Sequence, residues 1–178
     1  MVLHRCTTTS SSCERFAGDA VWWSTEDMGG RVAYWRMQLH PDSHSHAAQY
    51  AVTSLAAGFI GLDFGVDPGD LSRVPRTDLA PGQTDFHDFA HAMTKGDLVL
   101  VIVHHHPFAL ATVDGEYNYI KSPEPELGIW FRHFRRVRDV KYYADRVTNP
   151  RDWEKLVMAD TISALQPTTL SAQLISGW

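Results

Sequence analysis

The sequence predicts an α+β domain built on a mixed, strongly curved sheet or small pseudo-barrel with flanking helices. Three observations predict it. Leu98–Val103 is an unbroken apolar run, so both faces of that strand need cover. Ala109 to Val113 is a strand of small residues, which lets a neighbour pack close. The coarse order along the chain is strand, helix, strand, loop, helix, three strands, helix; adjacent strands with helices at the flank imply a mixed, strongly curved sheet or small barrel.

Residues 1–30 form an N-terminal lead. Thr7 to Ser12 is polar and has no hydrophobic period, and Val21-Trp22-Trp23 is expected to dock on the domain. Arg31 to His40 alternates as a first strand, with Ala33, Trp35, Met37 and Leu39 facing the core. Pro41-Asp42 ends it. A helix from Ala47 to Ala57 stops at Gly58, and Phe59 to Phe64 reads as the second strand. Gly65 to Gly82 is a long loop with one helical turn at Gly69 to Arg73. Thr84 or Asp85 is placed to cap a helix over Phe86–Met93. The apolar strand follows, then a turn from His104 to Pro107, the small-residue strand, a turn at Asp114-Gly115, and the alternating Glu116-Tyr-Asn-Tyr119. In Gly128 to Val140 neither side is purely apolar: Phe131, His133, Arg135 and Val137 share one side with Ile129 and Asp139, which predicts a bulge or bend. Tyr142-Tyr143 continues that strand. Trp153 to Leu165 has helix spacing, and 166–178 reads as a tail or linker. The domain thus spans 31–165.

The chain has 178 residues, 44% hydrophobic and 21% charged, which suits one soluble domain with a real core. Six Trp and 11% aromatic residues are high for this length and point to a binding surface as well as a core. The net charge of −5 excludes a chain coated in basic residues, though not a local basic patch. No signal peptide and no apolar run approaching ~20 residues is present, so a cytoplasmic protein with no membrane partner and free thiols at Cys6 and Cys13 is expected.

Two clusters carry candidate chemistry. His87 and His91 stand at i, i+4, a zinc-ligand spacing, but Asp88 occupies the position where a metalloprotease has Glu, and no third ligand is marked. His104-His105-His106 at a strand end cannot all face one metal, since neighbours point apart. Neither implies a bound metal or cofactor. Arg132, Arg135, Arg136, Arg138 and Lys141, interleaved with Trp130, Phe131, His133, Phe134, Tyr142 and Tyr143, combine cations for phosphates with flat faces for bases. There is no nucleophile elbow, Gly-rich phosphate loop, paired-cysteine zinc motif or nuclease carboxylate cluster, so a binding module is expected rather than an enzyme. The alternatives are a metal-dependent hydrolase using the His-rich segments and a protein-interaction module using exposed Trp and Tyr.

Trp35, then Phe59-Ile-Gly-Leu-Asp-Phe64, Met93-Thr-Lys-Gly-Asp-Leu-Val99, Ala109 to Tyr119 and Trp130-Phe-Arg-His-Phe-Arg-Arg-Val137 occur in an order that resembles the PUA-like superfamily. Within it the chain is most similar to EVE and YTH-type domains and to the EVE-like N-terminal domains of modification-dependent restriction GTPases. The resemblance covers roughly Val32 to Leu165; the long Gly65–Gly82 loop and the triple His depart from it. It implies a curved sheet with a pocket that holds a flipped, modified base, methylated adenine or modified cytosine, in DNA or RNA, with modified DNA the expected partner ahead of RNA. The reader itself would not be an enzyme; a nuclease or NTPase domain or subunit of a restriction, anti-phage system would cut. By position, the pocket would draw on His40, Asp42, Asp63, Phe64, Tyr117, Tyr119, Trp130 and His133. Phe64, Tyr117 and Trp130 would be stacking walls, with Asp63 or His40 reading the base edge. A carboxylate at Asp63 in an apolar strand needs a donor, which a base amino group would supply.

Overall fold

The computed structural model describes residues 32–39, 44–63, 65–80, 82–157 and 160–178. The 1–30 lead with Trp22-Trp23, and also His40, Asp42 and Phe64, lie outside the described residues.

The strands are β1 (Tyr34–Gln38), β2 (Phe59–Leu62), β3 (Leu98–Val103), β4 (His106–Val113), β5 (Asn118–Tyr119), β6 (His133–Tyr142) and β7 (Ile162–Ala164). The helices are α1 (Ala47–Ala56), α2 (Thr84–His91), α3 (Tyr143–Arg146) and α4 (Leu170–Ser176). Together they form a mixed α+β unit with a curled, half-barrel sheet of order β2-β6-β4-β3-β1-β7, in which β5 also pairs with β6. Among the described residues only β1 and β3 run parallel; the other pairs are antiparallel.

Register sorts the side chains into two faces, because directly paired residues point the same way. The inner face carries Trp35, Met37, Val99, Val101, Ala109, Ala111, Val113, Ile60 and Leu62, buried with Leu55 of α1 and Phe89 of α2. The outer face carries Leu100, Ile102 and Leu110, buried against Leu156 and against Ile175 of α4. Both faces of β3 are therefore covered, as its apolar run requires. The bulge in β6 is present: the register with β4 shifts between Leu110 and Thr112, and Asp139 takes φ +52°.

Several boundaries differ from the sequence reading. The hairpin between β3 and β4 turns on His104 and His105 alone, at φ +48° and +69°, and Pro107 lies within β4 beside a register shift. The N-cap position of α2 is Gln83, one residue ahead of the expected Thr84. Tyr143 leaves the strand to open α3. The predicted helix over Trp153–Leu165 does not form: the amide of Leu156 donates to the His105 carbonyl at 2.7 Å, and Ile162–Ala164 is strand β7 on the edge of β1. Residues 170–176 are a docked helix rather than a tail. The Thr169 hydroxyl caps it by accepting from the Ala172 amide at 3.2 Å.

One buried carboxylate fastens the start of the sheet. Asp97 is 3% exposed and accepts from the Ala33 amide at 3.0 Å, the Trp35 indole N–H at 3.0 Å and the Thr94 amide at 2.8 Å. It joins β1 to the turn that launches β3. We expect Asp97→Ala to cost about 3 kcal/mol or more, because it orphans those buried donors together. Urea unfolding measures this, and a loss below about 1 kcal/mol would contradict the role.

Candidate functional site

The aromatic residues picked out in the sequence converge where β5 meets the start of β6. Tyr119 pairs with His133 across the strands, and both face inward. Tyr117 packs edge-on to Phe89, with ring centroids 6.3 Å apart. The Tyr119 and His133 rings lie 5.1 Å apart, tilted by 37°. Both tyrosines are half-buried, whereas His133 is wholly buried.

Their polar atoms form a relay that straps down the 65–72 segment. The Leu71 amide donates to the Tyr117 hydroxyl at 3.0 Å. That hydroxyl lies 2.8 Å from His133 Nδ1, and His133 Nε2 lies 3.4 Å from an Asp67 oxygen. A carboxylate can only accept, so Nε2 carries the proton and Tyr117 donates to Nδ1. Tyr119 donates to the other Asp67 oxygen at 2.8 Å, and the Gly69 amide donates to Asp67 at 2.9 Å. His91 Nε2 lies 3.0 Å from the Leu71 carbonyl and so is the donor there. Burial alone would raise the pKa of Asp67, but the Gly69 amide, the Tyr119 hydroxyl and the charges of His133 and Arg132 outweigh it and hold the carboxyl below its ordinary range. Burial pushes the Tyr117 phenol well above its usual value, and the bond to Asp67 raises that of Tyr119. Asp67 and Leu71 are the residues the sequence reading missed. Both sit in an irregular loop whose partners are long-range, so no local pattern marks them.

Asp63 has its donor within the chain: Arg132 Nη1 lies 2.7 Å away, and Arg132 Nε lies 3.9 Å from Asp67. The carboxylate therefore does not depend on a base amino group. Arg132 is correspondingly committed to two carboxylates rather than to a phosphate. Arg135, also placed at the nucleic-acid backbone by the sequence reading, is 1% exposed. Its guanidinium donates to the carbonyls of Phe89 at 2.7 Å, Ala90 at 3.0 Å and Gly115 at 3.0 Å. It closes the C-terminus of α2, where unpaired carbonyls and the helix dipole favour a cation. Its charged form is disfavoured by burial and supported by Glu116 and Asp97. The inward side shared with His133 and Val137 already implied this position.

Trp130 stands apart from the relay, on the loop between β5 and β6. Gly128, at φ +75°, lets that loop press on α1, where any Cβ would collide with Ala57. The Trp130 ring is half-buried and meets Tyr50 at 4.9 Å, tilted by 53°. His46 lies 6.0 Å beyond Tyr50. The Trp130 indole nitrogen is buried and has no hydrogen-bond partner among the described residues.

The remaining candidates separate. Arg136, Arg138 and Lys141 are exposed on the outer face of β6, paired in register with Phe59, Thr112 and Leu110. His87 and His91 stack with ring centroids 4.0 Å apart. His106 Nδ1 lies 2.9 Å from the Glu154 carbonyl, while His104 and His105 are exposed at the hairpin tip. Among the described residues, no group of three or more His, Cys, Asp or Glu side chains is placed to hold a metal ion. No helix among them is long and apolar enough to cross a membrane.

The relay makes stability depend on pH. Burial pushes the His133 imidazole down from 6.5 to about 4, against the opposing pull of Asp67. Between those values the unfolded chain binds a proton that the folded chain does not. Stability is therefore full above pH 6.5 and falls by up to about 3 kcal/mol as pH drops toward 4. His87, lowered by burial and by His91, adds in the same direction. Asp67 stays ionised through this window. We expect His133→Gln to flatten the loss between pH 7.5 and 4.5 in urea unfolding; equal losses in both proteins would contradict the assignment.

No curated protein sequence matches this chain. Residues 35–166, most of the chain and almost all of the sheet, match the family described as a domain of unknown function, DUF8426. On that match, the chain belongs to the DUF8426 family.

Proposed function

We propose that this chain is a nucleic-acid reader that takes a modified base, methylated adenine or modified cytosine, out of a DNA duplex and stacks it at the aromatic site on the β5–β6 side of the sheet. The observation that carries this reading is Trp130, a half-buried indole whose buried N–H has no partner among the described residues. An orphaned buried donor costs about 1–3 kcal/mol, and an acceptor on a bound ligand would recover it. A heteroaromatic base brings ring nitrogens and carbonyl oxygens in the plane of a surface that stacks.

The magnitudes are compatible. Flipping a base costs a few kcal/mol. Stacking on an aromatic side chain returns about 1–3 kcal/mol, and a methyl group in an apolar notch about 0.8 kcal/mol. A methyl alone discriminates weakly, so the polar contact at Trp130 supplies part of the selectivity. Tyr117 is better assigned to positioning, since its hydroxyl serves Leu71 and His133 and its ring packs on Phe89. In this reading the chain has no chemistry of its own, and cleavage belongs to a nuclease or NTPase domain or subunit of a restriction system.

The test is binding of fluorescent duplexes at fixed salt: unmodified, or carrying methyladenine, methylcytosine or hydroxymethylcytosine. One modified duplex should bind more tightly than its unmodified counterpart. Trp130→Phe, which keeps a ring and removes the donor, should lower that affinity about tenfold, or about 1.4 kcal/mol, with little change in thermal midpoint. Equal binding of all duplexes, or full affinity in Trp130→Phe, would contradict the reading.

A further inference from the structure

Strand β6 carries a second surface that the aromatic site does not use. His133, Arg135 and Val137 point inward and are buried, whereas Arg136, Arg138 and Lys141 are all exposed and point outward. The outer core, with Leu156 and Ile175 over Leu100, Ile102 and Leu110, leaves this part of β6 open. The cations are held differently. The Arg136 guanidinium lies over the Phe59 ring, 5.5 Å from its centroid, and Phe59 is braced edge-on by half-buried Phe134 at 5.6 Å. Arg138 bridges Asp114, at 3.4 Å, and Asp139. Lys95 also pairs with Asp114, at 3.2 Å, so the local carboxylates are engaged. Among the described residues, neither Arg136 nor Lys141 has a carboxylate at ion-pair distance. In a chain of net charge −5, these two leave uncompensated positive charge on one strand face.

We propose that the outer face of β6 grips the phosphodiester backbone of duplex DNA, with Arg136 and Lys141 as its phosphate anchors; this rests on the reading of the chain as a DNA-base reader. At about 3.3 Å per residue, with the bulge at Asp139 taking up one residue, Arg136 and Lys141 stand about 13 Å apart along the strand. Laid along the duplex axis, that span covers about four nucleotides of one DNA strand, at about 3.4 Å of axial rise each. The run begins three residues past His133 and leads away from it. The held phosphates therefore lie on one flank of the nucleotide at the aromatic site, and the footprint is asymmetric. Stacking on Phe59 fixes the Arg136 guanidinium before DNA arrives, which reduces the ordering cost of the contact. Arg132 and Arg135 take no part, being committed to Asp63 and to backbone carbonyls.

The test is the salt dependence of duplex binding by the full chain. Each phosphate contact contributes about 0.9 to the slope of log K against log salt. Arg136→Ala with Lys141→Ala should make the slope shallower by about 1.8, and each single substitution by about half of that. The preference for the modified duplex should be unchanged, because the aromatic site is untouched. Lys155→Ala, an exposed lysine elsewhere, should leave the slope as it was. Duplexes shortened on one flank of the modified base should lose affinity, and those shortened on the other should not. Selective binding to the modified duplex with an unaltered slope in the double variant would overturn the phosphate strip and leave the base reader standing. No salt-dependent binding of any duplex would overturn both. Binding of polyglutamate in place of DNA, lost in the double variant, would assign the strip to an acidic protein partner and overturn the DNA occupant.

Discussion

The buried guanidinium of Arg135 is the contact on which the arrangement of the site depends. It reaches inward from β6 and gathers carbonyls from α2 and from the turn between β4 and β5. Three otherwise separate pieces are thereby set against each other: the helix bearing Phe89, the approach to Tyr117 and Tyr119, and the strand bearing His133. An apolar residue there would leave the carbonyls at the end of α2 without this donor. A charge at this depth is tolerated because its hydrogen bonds go to carbonyl dipoles aimed at it, and because the Phe89 ring face lies 5.7 Å from the guanidinium carbon.

From that anchor the rest follows in layers. Phe89 supports Tyr117, Tyr117 orients His133, and His133 with Tyr119 and Arg132 surrounds Asp67. The irregular 65–72 segment, which has no regular secondary structure of its own, is held by side chains instead of by a backbone ladder. Ionic and polar groups at the site are thus largely satisfied from within the chain. The exceptions among the described residues are informative: an indole N–H on Trp130 at the inner side and two cations on the outer side of β6. These are the groups through which a ligand gains most, since binding there exchanges an unmet need for a contact rather than one good contact for another.

Much of the fold was legible because it rests on local pattern. Alternation in β1 placed Trp35, Met37 and Leu39 correctly, Gly58 marked the end of α1, and the mixed sides of β6 announced its bulge. The helix expected over Trp153–Leu165 failed because the edge of β1 offers Ile162–Ala164 a ladder that spacing cannot foresee. Helix α4 was missed although its signals were present, a Thr at the N-cap and apolar Leu170, Leu174 and Ile175. The site was legible in part. Tyr117, Tyr119 and His133 do come together. Their internal use could not be read, because Asp67 and Leu71 lie far away in sequence. Arg135 was misassigned by composition, which grouped it with its basic neighbours, when the period-two pattern already set it beside His133 and Val137.

The most direct measurement is the indole N–H resonance of Trp130 in a nitrogen-15 spectrum, assigned by its loss in Trp130→Phe, during titration with a modified duplex. This resonance should shift markedly and gain protection from exchange on binding, and do so far less with the unmodified duplex. A Trp130 signal that stays in place at saturation with the modified duplex would contradict it.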